Sequence, residues 1–277
     1  MRYLSSGSNG SDSVHSYFIE KGEYFRIIMD SHEMISRGKK IARGIAKQLM
    51  LLGIDKGRIL DVGCGTGRIA LPLAELGYNV IGIDISPNYI EIARARMVSK
   101  GLENRAEFIV CDARELDQCT SKYSPFNAIL FVWSSVIGYY DEDTDIKVLT
   151  NARKIVGENG VLIIVDSINR DYMLMLHNIV GETTWFYDYH FYVVVERSLF
   201  NPVTSEVMIK HSFYRKDGKN LIFLDEAHFK MRIYSLNELV YIAKKAGWCL
   251  YRVLRDVAGE IGYSFTKPLN IIFSTCR

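Results

Sequence analysis

The chain has 277 residues, 48% of them hydrophobic and 24% charged, a composition that excludes a disordered, collagen-like or coiled-coil protein. Its length suffices for one large core with an appended subdomain. Thirty-four Lys plus Arg against thirty-two Asp plus Glu leave a formal charge of +2, too small to imply a polyanionic partner, so nucleic acid is not indicated.

The N-terminus reads MRYLSSGSNGSDS, polar where a signal peptide needs an apolar core, and a cytoplasmic location is expected. The stretch from Ser5 to Ser13 reads as a flexible tail. Apolar residues Met34, Ile35, Ile41, Ile45, Leu49 and Leu52 share one helical face, and Gly53 stops that helix. Short, continuous apolar runs then alternate with helical patterns, the signature of strands buried on both faces of a parallel sheet. Strands are predicted at Arg58 to Val62, Asn79 to Asp84, Ala106 to Val110, Phe126 to Val132 and Val161 to Asp166. Helices are predicted from Thr66 to Leu76, from an N-cap at Ser86 with Pro87 behind it to Gly101, and from Asp141 to Val156, before a turn at Gly157 to Gly160. The longest apolar runs, Ala128 to Trp133 and Val161 to Val165, are far short of the roughly 20 residues that span a bilayer, and no membrane partner is expected.

After Asp166 the pattern changes. His190 to Leu199, Glu206 to Tyr214 and Leu221 to Ile233 are rich in aromatic and β-branched residues with partial alternation, and the last two are joined through an Asp217-Gly218 hairpin signal. Ser235 and Glu238 form a capping box for a helix to Ala246, and two further strands fit at Trp248 to Leu254 and Leu269 to Thr275. The expected fold is α/β, a doubly wound, mostly parallel seven-stranded sheet with an antiparallel β insertion between strands five and six. The expected division is 1–32 as an N-terminal tail and covering segment, 33–169 as the cofactor domain, 170–233 as the insertion and 234–277 as the return to the main sheet. Five cysteines, Cys64, Cys111, Cys119, Cys249 and Cys276, are odd in number and mostly sit in apolar runs without CxxC or Cys/His pairing. They read as buried thiols, with no metal site.

Ile59-Leu60-Asp61-Val62-Gly63-Cys64-Gly65-Thr66-Gly67 leads from a buried strand into a helix, and its glycines allow a ligand close to the backbone. A dinucleotide site would need a third glycine where Arg68 stands, and its pyrophosphate would meet the acid at Asp61. The motif closely resembles the first motif of class I S-adenosylmethionine-dependent methyltransferases. The resemblance extends through Val80 to Ser86, Phe108 to Ala113, Phe126 to Ser135 and Gly160 to Asp166. It implies S-adenosylmethionine as cofactor, with S-adenosylhomocysteine as product, held by Asp61, Gly63, Cys64, Gly65, Gly67, Asp84, Ile85, Asp112, Ala113 and Phe131. Asp61 and the glycines would meet the methionine end, Asp84 the ribose hydroxyls, and Asp112 with Ala113 the adenine. Asp112 also suits an N-cap for the segment after it. In similar enzymes the N-terminal segment covers the cofactor, which makes Tyr17, Phe18 and Tyr24 candidates.

The acceptor side carries fewer signals, since an in-line displacement on an activated methyl depends mainly on proximity and orientation. The run from Trp133 to Tyr140 lacks the Asn/Asp-Pro-Pro-aromatic motif of many nucleobase amino-methylating enzymes. It looks instead like a small-molecule and sugar-amine N-methyltransferase subgroup. The expected activity is therefore methyl transfer to nitrogen or oxygen of a small molecule, with an RNA or protein acceptor, or cofactor binding without turnover, as the alternatives. Trp133 and Tyr139, with Tyr140, either wall the methyl site or pack the loop. His190, with His177, is a candidate base, a surface histidine being the plainer alternative. The aromatic insertion fits a lid over a small substrate, a packed sheet or a homodimer contact. The basic run Arg37, Lys39, Lys40, Arg43 and Lys47 fits a solvated helix face, a cofactor carboxylate or RNA.

Overall fold

The computed structural model describes residues 10–259 and 261–276. The elements in chain order are α1 (Gly10–His15), a π-turn at Ser16–Glu20, α2 (Gly22–Met29), α3 (His32–Leu51), β1 (Arg58–Val62), α4 (Ala70–Glu75), β2 (Asn79–Asp84), α5 (Pro87–Ser99) and β3 (Ala106–Val110). Then follow α6 (Leu116–Cys119), β4 (Phe126–Val132), α7 (Glu142–Ile155), β5 (Val156–Ser167), α8 (Arg170–Val180), β6 (Thr183–Tyr189), β7 (Tyr192–Asn201), β8 (Glu206–Asp217) and β9 (Asn220–Arg232). The chain closes with α9 (Leu236–Lys245), β10 (Trp248–Leu254) and β11 (Leu269–Thr275).

Seven strands form one sheet in the order β10-β11-β5-β4-β1-β2-β3, and β6 to β9 form a separate antiparallel sheet. β1 pairs in parallel with β2 on one side and β4 on the other, so the strand order turns back at β1, where open α/β sheets bind ligands at their carboxyl ends. The continuous apolar runs are explained by burial on both faces. One face packs Ile45 and Leu49 of α3, Leu73 of α4 and Ala93 of α5 against the sheet, and the other packs Leu149 of α7 and Ile242 of α9. Trp248 is fully buried in that second layer and donates its indole N–H to the Leu149 carbonyl at 2.9 Å, which satisfies its one polar atom. A third cluster joins Val14, Tyr17 and Ile28 of the N-terminal segment to Val194, Phe213 and Phe229 of the four-stranded sheet. The N-terminal segment thus bridges the two sheets.

Several expectations need correction. The flexible tail from Ser5 lies outside the described residues as far as residue 9, and from Gly10 onward the chain is helical. The helix after the glycine loop starts only at Ala70, because residues 66–69 are still turning. Gly157 to Gly160 belong to β5, where the register against β4 shifts between Phe126 and Ala128; the extra residues are absorbed as a bulge. Helix α8 and strand β6 were not foreseen. Helix α8 is rich in apolar residues and packs Met173 and Leu174 against the third cluster, although none of its residues is fully buried, and its start is set by Asn169, whose side chain accepts from the Asp171 N–H at 3.0 Å. Cysteines 111 and 119, and 249 and 276, are disulfide-bonded, leaving Cys64 free and buried. The first pair is brought together by the short turn back through α6, and the second by the antiparallel pairing of β10 and β11. A reducing compartment therefore does not follow from the cysteines. No helix among the described residues is long and apolar enough to cross a membrane.

Gly138 follows the β4 loop at φ +89°, and a Cβ there would lie 1.9 Å from the Arg232 carbonyl oxygen at the end of β9. Its N–H donates to the buried Asp145 carboxylate at 2.9 and 3.0 Å, and that carboxylate also accepts from Tyr234 Oη at 2.6 Å. Gly138→Ala must open this junction between backbones. Urea denaturation is expected to show a loss on the order of 3 kcal/mol; a loss below about 0.5 kcal/mol would mean that the junction is loose.

Candidate functional site

The glycine loop is pinned to the end of β2. Gly63 and Cys64 donate their N–H groups to the Ile83 carbonyl at 2.8 and 2.9 Å, and Gly65 donates to Asp84 Oδ2 at 2.8 Å. Asp84 Oδ1 accepts from Ser86 N–H at 2.9 Å. Backbone N–H groups thus hold both Asp84 oxygens, with Ile85 contributing a further one, and a carboxylate's four lone pairs leave accepting capacity. Gly63 has φ +69°, and a Cβ on it would sit 2.8 Å from Ser135 Cβ, so glycine is required where the loop after β4 crosses the glycine loop. At Gly65 a Cβ would meet nothing within 4 Å, which marks open space beside the backbone.

Asp61 lies below this loop and is 2% exposed. The Ala70 backbone supports its carboxylate, yet Oδ2 has no hydrogen-bond partner. Burial raises its pKa to about 7, against the pull of Arg68 and with the help of the Asp84 charge. Burial also raises Asp84 to about 6, with the Ser86 and Gly65 N–H groups opposing. A buried carboxylate oxygen without a donor is costly unless something else supplies one.

The cavity above is lined by Gly63, Gly65, Asp84, Ile85, Asp112 and Ala113, all sequence candidates, together with Trp133 and Tyr139. Its roof comes from the N-terminal segment. Phe25 stacks on Trp133 with ring centres 6.1 Å apart and a 12° interplanar angle, and Phe18 stacks on Tyr139 at 5.4 Å and 16°. Asp30, just past α2, locks the roof down: it accepts from Thr66 Oγ1 of the glycine loop at 2.9 Å and pairs with Arg96 of α5 at 2.8 Å. The loop after β4 is strained, with φ of +64° at Trp133, +53° at Ser134 and +68° at Val136, and Asp166 at the end of β5 has +54°. Non-glycine residues hold such angles only where their surroundings impose them, and four of the five such residues among the described ones lie at the carboxyl ends of the adjacent strands β4 and β5, the fifth being Ser205.

Other candidates are placed elsewhere. Cys64 and Phe131 are core residues under the sheet's end, and neither they nor Gly67 line the cavity; Asp61 is buried beneath the loop and is not part of the lining either. Tyr24 packs on Phe213 with ring centres 5.4 Å apart, turned toward the four-stranded sheet by the helical rotation that puts Phe25 in the roof. Tyr17 is likewise buried beside the roof, its hydroxyl 2.5 Å from His211 Nδ1. His190 is exposed in the turn between β6 and β7 and touches Phe191, so it cannot serve as a base here. His177 lies in α8 against Phe200. Asp112 lines the cavity, but its carboxylate caps Arg114 N–H at 2.9 Å and grips the Arg114 guanidinium. Burial would raise it, but those hydrogen bonds outweigh burial and hold it below the usual carboxylate range. The basic run is a solvated face: Arg37 pairs with Asp166, Lys47 donates to the Ala258 carbonyl, and Lys39, Lys40 and Arg43 are exposed. Phe25, Arg26 and Met29 were missed, although the four-residue spacing of Phe25 and Met29 is a helical signal.

A sequence profile described as a methyltransferase domain matches residues 55–199, a little over half of the chain. YqeM of Bacillus subtilis is 25% identical over 202 residues, covering 73% of this chain and 77% of that protein. A tRNA 5-carboxymethoxyuridine methyltransferase of Escherichia coli is 30% identical over 130 residues, 47% of each chain, so under half of that relative's length is spanned. Among solved structures, an S-adenosylmethionine-dependent methyltransferase from Clostridium acetobutylicum superposes with a TM-score of 0.72 at 20% identity, covering 86% of this chain and 92% of that one. An amino pentose methyltransferase from Micromonospora echinaspora, with S-adenosylmethionine bound, superposes with a TM-score of 0.63 at 16% identity, covering 88% and 96%. The glycine loop, the acids at the ends of β1 and β2 and these likenesses agree: the chain belongs to the class I S-adenosylmethionine-dependent methyltransferase family.

Proposed function

We propose that the protein transfers a methyl group from S-adenosylmethionine to a nitrogen or oxygen of a small-molecule acceptor. The observation that carries this reading is the buried, partnerless Asp61 oxygen beneath a glycine loop whose cavity is roofed by aromatic rings. The ammonium of the cofactor's methionine end supplies the donor that Asp61 lacks, and the ribose hydroxyls suit the remaining lone pairs of Asp84. The Ala113 backbone borders the adenine side, while Asp112 holds Arg114 in place there.

When bound, the cofactor supplies an activated methyl on a sulfonium. The chain's own contribution is orientation and exclusion of water: Trp133 and Tyr139 wall the cavity, and Phe18 and Phe25 close it. Free space under the roof is about 80 Å³. An RNA acceptor, favoured by the Escherichia coli relative, would need an open basic path into the cavity. The Arg37–Asp166 pair and the aromatic roof favour a small acceptor instead.

Incubation with S-adenosylmethionine and a panel of small amines and alcohols, followed by mass spectrometry, is expected to give methylated products. Turnover of tRNA but of no small molecule would contradict the reading. Affinity for S-adenosylhomocysteine, measured by calorimetry, carries a pH signature. Asp61 at about 7 and Asp84 at about 6 are partly protonated in the free protein, and pairing favours their ionised forms. Affinity should therefore rise about ten-fold between about pH 5.5 and 7. Asp61→Asn should weaken binding at neutral pH and flatten this rise; an equally steep rise in the variant would remove Asp61 from the role.

A further inference from the structure

A second cavity of about 290 Å³, within reach of the range for small-molecule sites, lies between the four-stranded sheet and the carboxyl ends of β4 and β5. Trp133 lines both cavities and is their common wall. The second is bounded by Tyr172 of α8, by Trp185, Glu196 and Ser198 of the insertion, and at its rim by the exposed segment 266–268. Asn169 fixes that rim, its Nδ2 donating to the Phe265 and Lys267 carbonyls at 3.3 and 3.2 Å.

One acid in this cavity is held by a buried relay. Glu196 and His211 are opposite partners across β7 and β8, with Nε2 to Oε2 at 3.0 Å, and Tyr17 Oη reaches His211 Nδ1 at 2.5 Å. Burial raises the Tyr17 hydroxyl well above its usual range, so it stays protonated. A carboxylate can only accept, so His211 presents its Nε2 proton to Glu196, and in that tautomer Nδ1 accepts from the Tyr17 hydroxyl. The other acid in the cavity, Asp166, is neutralised by Arg37 at 2.8 Å, and Lys267 stands on the exposed rim.

We propose that this second cavity is the acceptor chamber, that it takes an amine, and that Glu196 holds the ammonium and receives its proton, with His211 and Tyr17 as positioning residues. The proposal rests on the methyltransferase reading above. Tyr172, Trp185 and Trp133 add the aromatic faces that attract a cation. The ammonium gives one proton to the Glu196 carboxylate. The freed nitrogen lone pair then bonds to the methyl carbon, and the carbon–sulfur bond of S-adenosylmethionine breaks with its electron pair left on sulfur as S-adenosylhomocysteine. A hydroxyl acceptor fits less well: its pKa is close to that of water, about 15.7, whereas an alkylammonium gives up its proton near 10.4.

The test uses the full chain saturated with S-adenosylhomocysteine and two probes of matched shape, benzylamine and benzyl alcohol, titrated by calorimetry at neutral pH. Benzylamine is expected to bind about ten-fold more tightly or better. Glu196→Gln should erase that preference and Glu196→Asp should restore part of it, both with unchanged affinity for S-adenosylhomocysteine. His211→Ala should lower the amine-to-alcohol ratio, and His211→Gln, which keeps an N–H donor, should recover it. Equal binding of the two probes by the wild type overturns the proposal without recourse to any variant, as does a preference that survives Glu196→Gln. Failure of S-adenosylhomocysteine itself to bind would instead overturn the cofactor reading.

Discussion

A carboxylate buried without a full set of donors is the constraint around which the site is arranged. Asp61 occupies β1, the strand at which the sheet order turns back, and Asp84 ends β2 beside it. Burial disfavours the ionised form of each and lifts both, and the Asp84 charge adds to the rise at Asp61. In the free protein the sign is clear. The stability linked to Asp61 is complete below its ordinary pKa of 3.8 and is lost as pH rises through about 7. A cationic ligand removes that conflict, so the feature that weakens the free fold near neutrality is the one that favours the loaded state.

The roof depends on the same loop. Thr66 follows directly on Gly65, and its hydroxyl, with Arg96, fastens Asp30 and thereby the helix that carries Phe25. The roof also rests on the strained segment after β4, through the Trp133 and Tyr139 stacks. Cofactor loop, roof and acceptor wall are therefore mechanically continuous. The four-stranded sheet joins this unit through the Tyr17–His211 contact, and His211 in turn holds Glu196. Strain held at Trp133, Ser134 and Val136 is consistent with a loop whose geometry is imposed for function.

The parallel core was legible because its information is local. A strand buried on both faces needs an unbroken apolar run, and β1 to β4 were read at their full extent from that pattern. The glycine loop was equally plain, since backbone approach demands glycine. What escaped depends on contacts distant in sequence. Phe131 and Cys64 lie beside motif residues but point into the core, a matter of strand side and not of composition. His190 looked close to the cleft only because the length of the β6–β7 hairpin, which carries it out to solvent, was unknown. The pairing of Cys111 with Cys119 and of Cys249 with Cys276 follows from chain reversals that an odd cysteine count obscures. Conversely His211, for which the sequence offered no role, acquires one only when β7 and β8 align it with Glu196.

The central claim is that the partnerless oxygen of Asp61 marks the seat of the cofactor's ammonium. A crystal structure of the protein with S-adenosylhomocysteine tests it most directly. The account predicts the ligand's ammonium within hydrogen-bond distance of Asp61, its ribose hydroxyls on Asp84, and Phe25 and Trp133 still enclosing it. A ligand seated elsewhere, or seated here with the Asp61 oxygen still unpaired, would contradict it.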